Sequence, residues 1–368
     1  MNARVAAALV VLLVVLGGGA LLVLQREAAE RPGAAAVLGQ PLLKELKAAE
    51  VAAVVIRDAA GTVTLERRED AWTIAERAGF PADIEKVREF VVKAIGLKVG
   101  QVEPLGEADR ARLGLDDKGT RVEFRGADGK PLAALLVGKK HFKKEPDDPE
   151  KAAADGRFVL RPEDPKTVYL VSDPLSQATS KTAEWIDRRS FQVEKVKTLE
   201  VRHPEGDSWR IERSSENAEW KLSPLKPGEK LEPTRANSAS YSLSLLDLAD
   251  VAAKDAAANA FERPILVDAA TFDGLAYAIR VGRLEGENHY VAFTVSGAPI
   301  RERTPEKDEK PEERERRDKE HAERLKKLEE RLAREKQLAQ YVLLVPKSRL
   351  EDTLKKRAEL LQKQDEKK

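Results

Sequence analysis

The chain has 368 residues, enough for roughly two domains that each bury a core. Its 65 basic residues against 64 acidic ones leave no net field to gather nucleic acid, and charged residues, at 35%, exceed the usual quarter because they crowd one late segment. The absence of cysteine excludes disulfides, thiolate catalysis and cysteine-held metals together. From residue 5 to 24 every position is apolar or glycine, which matches a hydrocarbon core of ~30 Å and predicts an N-terminal transmembrane anchor over 1–25. Arg4 precedes the run, whereas Arg26, Glu27, Glu30 and Arg31 follow it with no net charge. The positive-inside tendency then puts the N-terminus in the cytoplasm and the bulk of the chain in the periplasm or another extracytoplasmic space, held at the inner membrane. The rival reading is a cleaved signal peptide; against it, the apolar run continues through Leu21-Leu22-Val23-Leu24, past the small residues where cleavage would fall.

Residues 26–46, rich in Ala, Gly and Pro, read as a tether with a small helix at 42–46. The first module (47–192) opens with β-type runs at 51–57 and 62–67 around Ala59-Ala60-Gly61, then Trp72-Thr73-Ile74 as a third strand. Pro81-Ala82-Asp83 predicts a helix start, and Ile84, Val87, Val91 and Ile95 give that helix one apolar stripe. Leu113-Gly114-Leu115-Asp116 turns the chain into a second hairpin, 120–125 and 132–137 around Asp128-Gly129. Strands at 158–160 and 167–171 follow, and 173–191 reads as a helical bridge ending in Trp185-Ile186-Asp187-Arg188-Arg189.

The second module (193–368) repeats this order. Ile56-Arg57, Gly61, Leu65-Glu66-Arg67 and Trp72-Thr73-Ile74 return as Val201-Arg202, Gly206, Ile211-Glu212-Arg213 and Trp220-Lys221-Leu222. Asp128-Gly129 with Val137-Gly138-Lys139 returns as Asp273-Gly274 with Val281-Gly282-Arg283. Such self-similarity marks a duplicated structural unit. A helix is expected over 234–248. The pattern gives the fold class α+β: two tandem related modules of mostly antiparallel strands with helices, behind one transmembrane helix. The copies differ in a polar loop at 139–156 and a charged excursion at 301–340. In the latter, Glu312–Arg316, Glu315–Lys319, Glu320–Arg324, Glu323–Lys327 and Glu330–Arg334 stand four apart with the acid first. That order supports a solvated helical arm about 40 Å long from Pro311, with Leu325, Leu328 and Leu332 as its one apolar stripe. Ser348-Arg349-Leu350-Glu351 opens the tail with a capping-box pattern.

His141, His203, His289 and His321 stand apart, and none has a second ligand at zinc spacing, so surface histidines and no metal site are expected. No glycine loop for phosphate and no Gly-x-Ser-x-Gly elbow occurs. Asp116-Asp117 and Asp147-Asp148 lie beside turn residues, which explains them more simply than acid–base pairing. The expectation is no catalytic residue, no cofactor and no enzyme. Lys139-Lys140-His141-Phe142-Lys143-Lys144 is a basic strip that Glu145, Asp147, Asp148 and Glu150 largely neutralise. Lys140 and Lys143 in that strip, with Arg324 and Lys327 on the arm, are the candidate partner contacts. Trp72 and Trp220 hold equivalent places and read as core plugs. Trp185 and Trp209 have no such match.

The landmarks run in a telling order: an N-terminal anchor, strands ending in a tryptophan, Phe80-Pro81-Ala82-Asp83, Leu113-Gly114-Leu115-Asp116, Val137-Gly138-Lys139, Val168-Tyr169-Leu170-Val171, then Trp185-Ile186-Asp187-Arg188-Arg189-Ser190-Phe191 before a second copy. In this the chain resembles the bacterial family called domain of unknown function 4340. The resemblance implies an anchored envelope protein, often encoded beside a gliding-type ABC transporter, and no assigned activity. The charged arm, and a second copy without a counterpart of Leu113-Gly114-Leu115-Asp116, depart from the pattern. The expected function is a non-enzymatic accessory or scaffold of a membrane complex, of ABC-transporter type, with a protein partner there and no nucleic acid. A cell-wall or polysaccharide binding module stays open as an alternative, needing Trp185, Trp209 and Tyr241 together in a groove. A hydrolase would need converging carboxylates.

Overall fold

The computed structural model describes residues 37–69, 71–144, 146–148, 151–253, 257–303 and 309–362. The expected anchor, 5–24, and most of the tether lie outside the described residues. After one helical turn at Ala48–Glu50 come β1 (Ala53–Asp58), β2 (Gly61–Arg68), β3 (Ala71–Ile74) and β4 (Phe80–Pro81). Helix α1 (Ile84–Ile95), β5 (Val99–Pro104), α2 (Glu107–Leu113), β6 (Thr120–Arg125), β7 (Pro131–His141), β8 (Gly156–Arg161) and β9 (Asp164–Val171) complete the first half. The second half holds β10 (Val196–Arg202), β11 (Ser208–Glu212), β12 (Lys221–Ser223), α3 (Pro233–Tyr241), β13 (Asp250–Val251), β14 (Ile265–Thr271), β15 (Leu275–Glu285) and β16 (Asn288–Gly297). It closes with α4 (Pro311–Leu338), β17 (Leu343–Pro346) and α5 (Lys347–Leu350).

Two structural units result, one from the described residues up to Arg67 with Glu85–Lys181, the other from Arg68–Ile84 with Thr182 onward. The β3–β4 hairpin, Thr73 opposite Pro81 and Ile74 opposite Phe80, therefore packs with the second. In the first unit the strands lie in the order β2-β1-β6-β7-β8-β9-β5; in the second they lie in the order β12-β11-β10-β14-β15-β16-β17-β13. From β2 onward and from β11 onward the two orders are the same, each new strand matching its counterpart, and every pairing is antiparallel. This is the duplication seen as topology. The copies diverge in their connections. Two residues join β8 to β9, where the second copy carries α4 between β16 and β17; β7 and β8 are joined by 142–155, where β15 and β16 need only two residues.

Each core follows from strand alternation. In the first unit Val54, Ile56, Val63, Leu65, Val122, Phe124, Leu135 and Val137 alternate inward and are fully or almost fully buried. Helix α1 lays Val87, Phe90, Val91 and Ala94 on that face, with Phe90 and Phe124 stacked at a centroid distance of 6.1 Å, while Val92 faces water. Each such aromatic contributes roughly 1.5–3 kcal/mol through burial. On the opposite face a smaller apolar group, Leu113, Leu115, Leu136 and Leu160, sits beneath α2. The recurring Val-Gly-basic motif has a packing cause. A β-carbon on Gly138 would come within 2.4 Å of the Leu113 carbonyl, and one on Gly282 within 2.3 Å of the Ala260 carbonyl, so in both copies another backbone segment presses on that glycine.

Two expected helices do not form, and two others differ in their bounds. Residues 173–191 contain only one turn, Thr182–Glu184, because side chains take over the backbone: Asp173 Oδ1 accepts from Leu175 N (2.7 Å), Asp58 Oδ2 from Ser180 N (2.9 Å) and Asp187 Oδ1 from Arg189 N (3.0 Å). Residues 42–46 form turns that bury Leu42, Leu43 and Leu46. Pro81 belongs to β4, and the helix starts at Ile84. Helix α3 stops at Tyr241, short of the expected 248, and runs on only as a turn over Ser242–Ser244. There the serines at 240, 242 and 244 donate to the carbonyls three residues back, which weakens helical bonding. The tail helix begins at Lys347 behind Pro346, with no side-chain cap. The basic strip is not a loop at its start: Lys140 pairs with Arg157 and His141 with Gly156 within the sheet.

Candidate functional site

Helix α4 spans 28 residues, about 42 Å, and is held at one end. Leu332, Glu335 and Leu338 are buried and continue the stripe of half-buried His321, Leu325 and Leu328. The anchor is Glu335, fully buried: Oε2 accepts from the Tyr277 hydroxyl (2.7 Å) and Oε1 from Gln192 N (3.0 Å). Burial pushes this carboxyl above its usual range despite those bonds. Arg331 adds an ion pair to Glu194 at 2.5 Å. The arm is therefore docked along one stripe, where the sequence suggested a fully solvated helix. None of the five acid-first pairs closes to ion-pair distance; long side chains in water gain too little from pairing to hold one geometry. Ion pairs form instead around Arg303, which reaches Glu309 (2.7 Å) and Asp318 (2.8 Å).

The four candidate contact residues fall into two pairs on different units. Arg324 and Lys327 lie on the exposed flank of α4, with Arg324 Nη2 3.0 Å from His321 Nδ1. Lys140 is half-buried near the end of β7, and Lys143 is exposed just beyond, its backbone N–H bonded to Asp155. The histidines are not all at the surface. His203 is buried, while His289 Nδ1 lies 3.0 Å from the Gly282 carbonyl. Among the described residues no group of three or more His, Asp or Glu is placed to hold a metal. Trp185 and Trp209 are 1% and 2% exposed, and Trp209 Nε1 donates to the Lys355 carbonyl. They are core residues, so the aromatic groove needed for a polysaccharide module does not form; Tyr241 stands apart and exposed. Trp220 is buried beneath Arg213, with Nε1 donating to Asn237, whereas Trp72 is only half-buried.

A second feature has no local signature in the sequence. On the α2 face of the first sheet lies a cleft of about 760 Å³, floored by Leu115, Leu136 and Leu160. Arg57, Arg110, Lys118 and Arg121 line it with Asp58, Glu107, Asp116 and Asp117. Its wall is fixed by the end of α2, where Gly114 turns left-handed (φ 66°) and Leu115 N–H returns to the Arg110 carbonyl.

No curated protein and no solved structure matches the chain. A family model matches residues 72–264, just over half of the chain, from the first residues of β3 to just before β14. Trp72, Phe80-Pro81 and Leu113-Gly114 lie within the matched residues, and the chain belongs to the family described as Domain of unknown function (DUF4340).

Proposed function

We propose that this is a non-enzymatic, single-pass envelope protein whose two sheet units stand outside the cytoplasm and serve as an accessory or scaffold of a membrane complex, of ABC-transporter type. The anchor is the apolar stretch 5–24; among the described residues no helix is long and apolar enough to cross a membrane. The transporter setting follows the family resemblance. The observation that carries the reading is α4, an inserted helix pinned by the buried Glu335 while its other flank offers Arg324 and Lys327 to solvent. A charged helix ordered in advance spares a partner much of the entropy of docking.

The test uses the full-length chain in its native membrane. A reporter fused after Lys368 is active only outside the cytoplasm, and gentle crosslinking captures a transporter subunit. Replacing 304–330 with a short Gly-Ser turn keeps the packed end of α4 and abolishes that capture. Cytoplasmic reporter activity would overturn the orientation. Undiminished capture by the trimmed chain would remove α4 as the docking element.

A further inference from the structure

The two copies can be compared position by position, and at one place they differ in sign. In the second unit Arg202 on β10 is neutralised, with Nη1 2.7 Å from Glu200 and Nη2 2.5 Å from Asp268, and it faces Leu266 across the strand pair. Its counterpart in the first unit is Arg57. Val55 stands where Glu200 would be, and Arg121 stands directly opposite where Leu266 would be. The counterpart of Asp268 is Glu123, and its carboxylate is taken by Arg125 at 2.8 Å. That bond from Arg125 is the main reason the Glu123 carboxyl lies below its usual range, and the charges of Arg121 and Arg57 lower it further. Arg57 spends its Nε on the Thr62 hydroxyl at 3.2 Å. Among the described residues no carboxylate lies within ion-pair distance of Arg57 or Arg121. Two arginines thus stand directly opposite each other across an antiparallel pair, where β-carbons are roughly 4.5–5.5 Å apart and like charges destabilise the sheet.

We infer that this cleft binds a small ligand carrying a carboxylate or phosphate, gripped between Arg57 and Arg121. Both side chains line the cleft, and a volume of about 760 Å³ suits a small molecule. Guanidinium groups stay charged and present flat forks that match either anion. An anion between them converts the repulsion into two charge-assisted pairs. Of the acids nearby, Glu123 is held by Arg125 although Arg121 and Arg57 also act on its charge through space, and Asp58, Glu107, Asp116 and Asp117 line the cleft itself. Asp58 accepts from Ser180 N and Oγ and from Ala60 N, Asp116 Oδ1 accepts from Lys118 N, and Glu107 stands 3.6 Å from Arg110. Their remaining lone pairs accept hydroxyl groups, while Leu115, Leu136 and Leu160 offer an apolar floor. The ligand class that satisfies all three is an anionic sugar or a similarly hydroxylated anion.

The probes are glucose 6-phosphate, glucuronate and neutral glucose, titrated calorimetrically into the full-length chain in non-ionic detergent. At least one of the two anions binds, more weakly as salt is added, and glucose does not; which anion binds tells phosphate from carboxylate. Arg121→Leu installs the residue of the other copy. It raises the melting temperature of the free protein by relieving the repulsion and weakens anion binding about tenfold or more, as the loss of a charge-assisted bond implies. Arg57→Gln weakens binding likewise and serves as the second variant should Arg121→Leu not fold. The inference is overturned if neither anion binds up to ~10 mM, if glucose binds as well as they do, or if both variants bind as the parent does.

Discussion

At the scale of single residues, the tail shows how one ion pair can be read as a pH dependence. Arg357 is 8% exposed and donates to Glu229 through Nε (3.0 Å) and Nη2 (2.5 Å), and to the Pro224 carbonyl (2.6 Å). The bond from Arg357, with one from the Lys226 backbone, lowers the Glu229 carboxyl from 4.5 to about 2. A depressed acid stabilises the fold above its unfolded value and ceases to do so as pH falls through the folded one. Glu229→Gln is therefore destabilising at neutral pH, and the gap to the parent closes as pH falls from 4.5 towards about 2. Urea midpoints across that range check it; a gap that stays constant would mean the pair does not couple to folding. Residue types alone did not reveal such pairings. Trp220 was legible as a core residue from its repeated position, yet Trp72, its sequence counterpart, is half-buried, and the unmatched Trp185 and Trp209 lie deepest. Burial of a lone tryptophan depends on what returns to cover it, here the Lys355 segment over Trp209, more than 140 residues away.

At the scale of elements, α4 combines two stabilities in one helix. Its first turns rest on exposed side chains and ion pairs around Arg303, whereas its last turns bury Leu332, Glu335 and Leu338. Hydrogen exchange should therefore rise steeply toward the N-terminal end, with amides near Pro311 exchanging fast and those around Glu335 protected close to the level of β15. Uniformly fast exchange would show that the Tyr277–Glu335 bond does not hold the helix. The helix and its length were legible because acid, base and apolar spacing all share one period. Its docking was not, since a buried glutamate looks like any other among so many charges. The strands were legible for the same reason of period, to within a few residues at 120–125 and 61–68. Helix α2 and the short β13 carry too few residues to show a period. The opposition of Arg57 and Arg121 depends on a register between strands 64 residues apart, which no local pattern encodes.

For the whole molecule, duplication explains why two sheets share one strand order although few side chains are shared between them. What is inherited is the alternation that builds each core and the two glycines, Gly138 and Gly282, that let another backbone lie against the sheet. The differences lie in the connections, and the largest has a kinetic meaning. To form β8–β9 the first unit closes a loop of two residues; to form β16–β17 the second must bring together strands separated by residues 298–342. Closing a longer loop costs more entropy before any contact rewards it, and such non-local pairing slows folding. In refolding followed by pulsed hydrogen exchange, amides of β8 and β9 should gain protection before those of β16 and β17, and shortening 304–330 should narrow the interval. Simultaneous protection would mean that α4 forms early and brings its strands together. On the slower course, a newly made chain passes through a stage in which the edge of β16 is bare, an open invitation to mispairing with another copy.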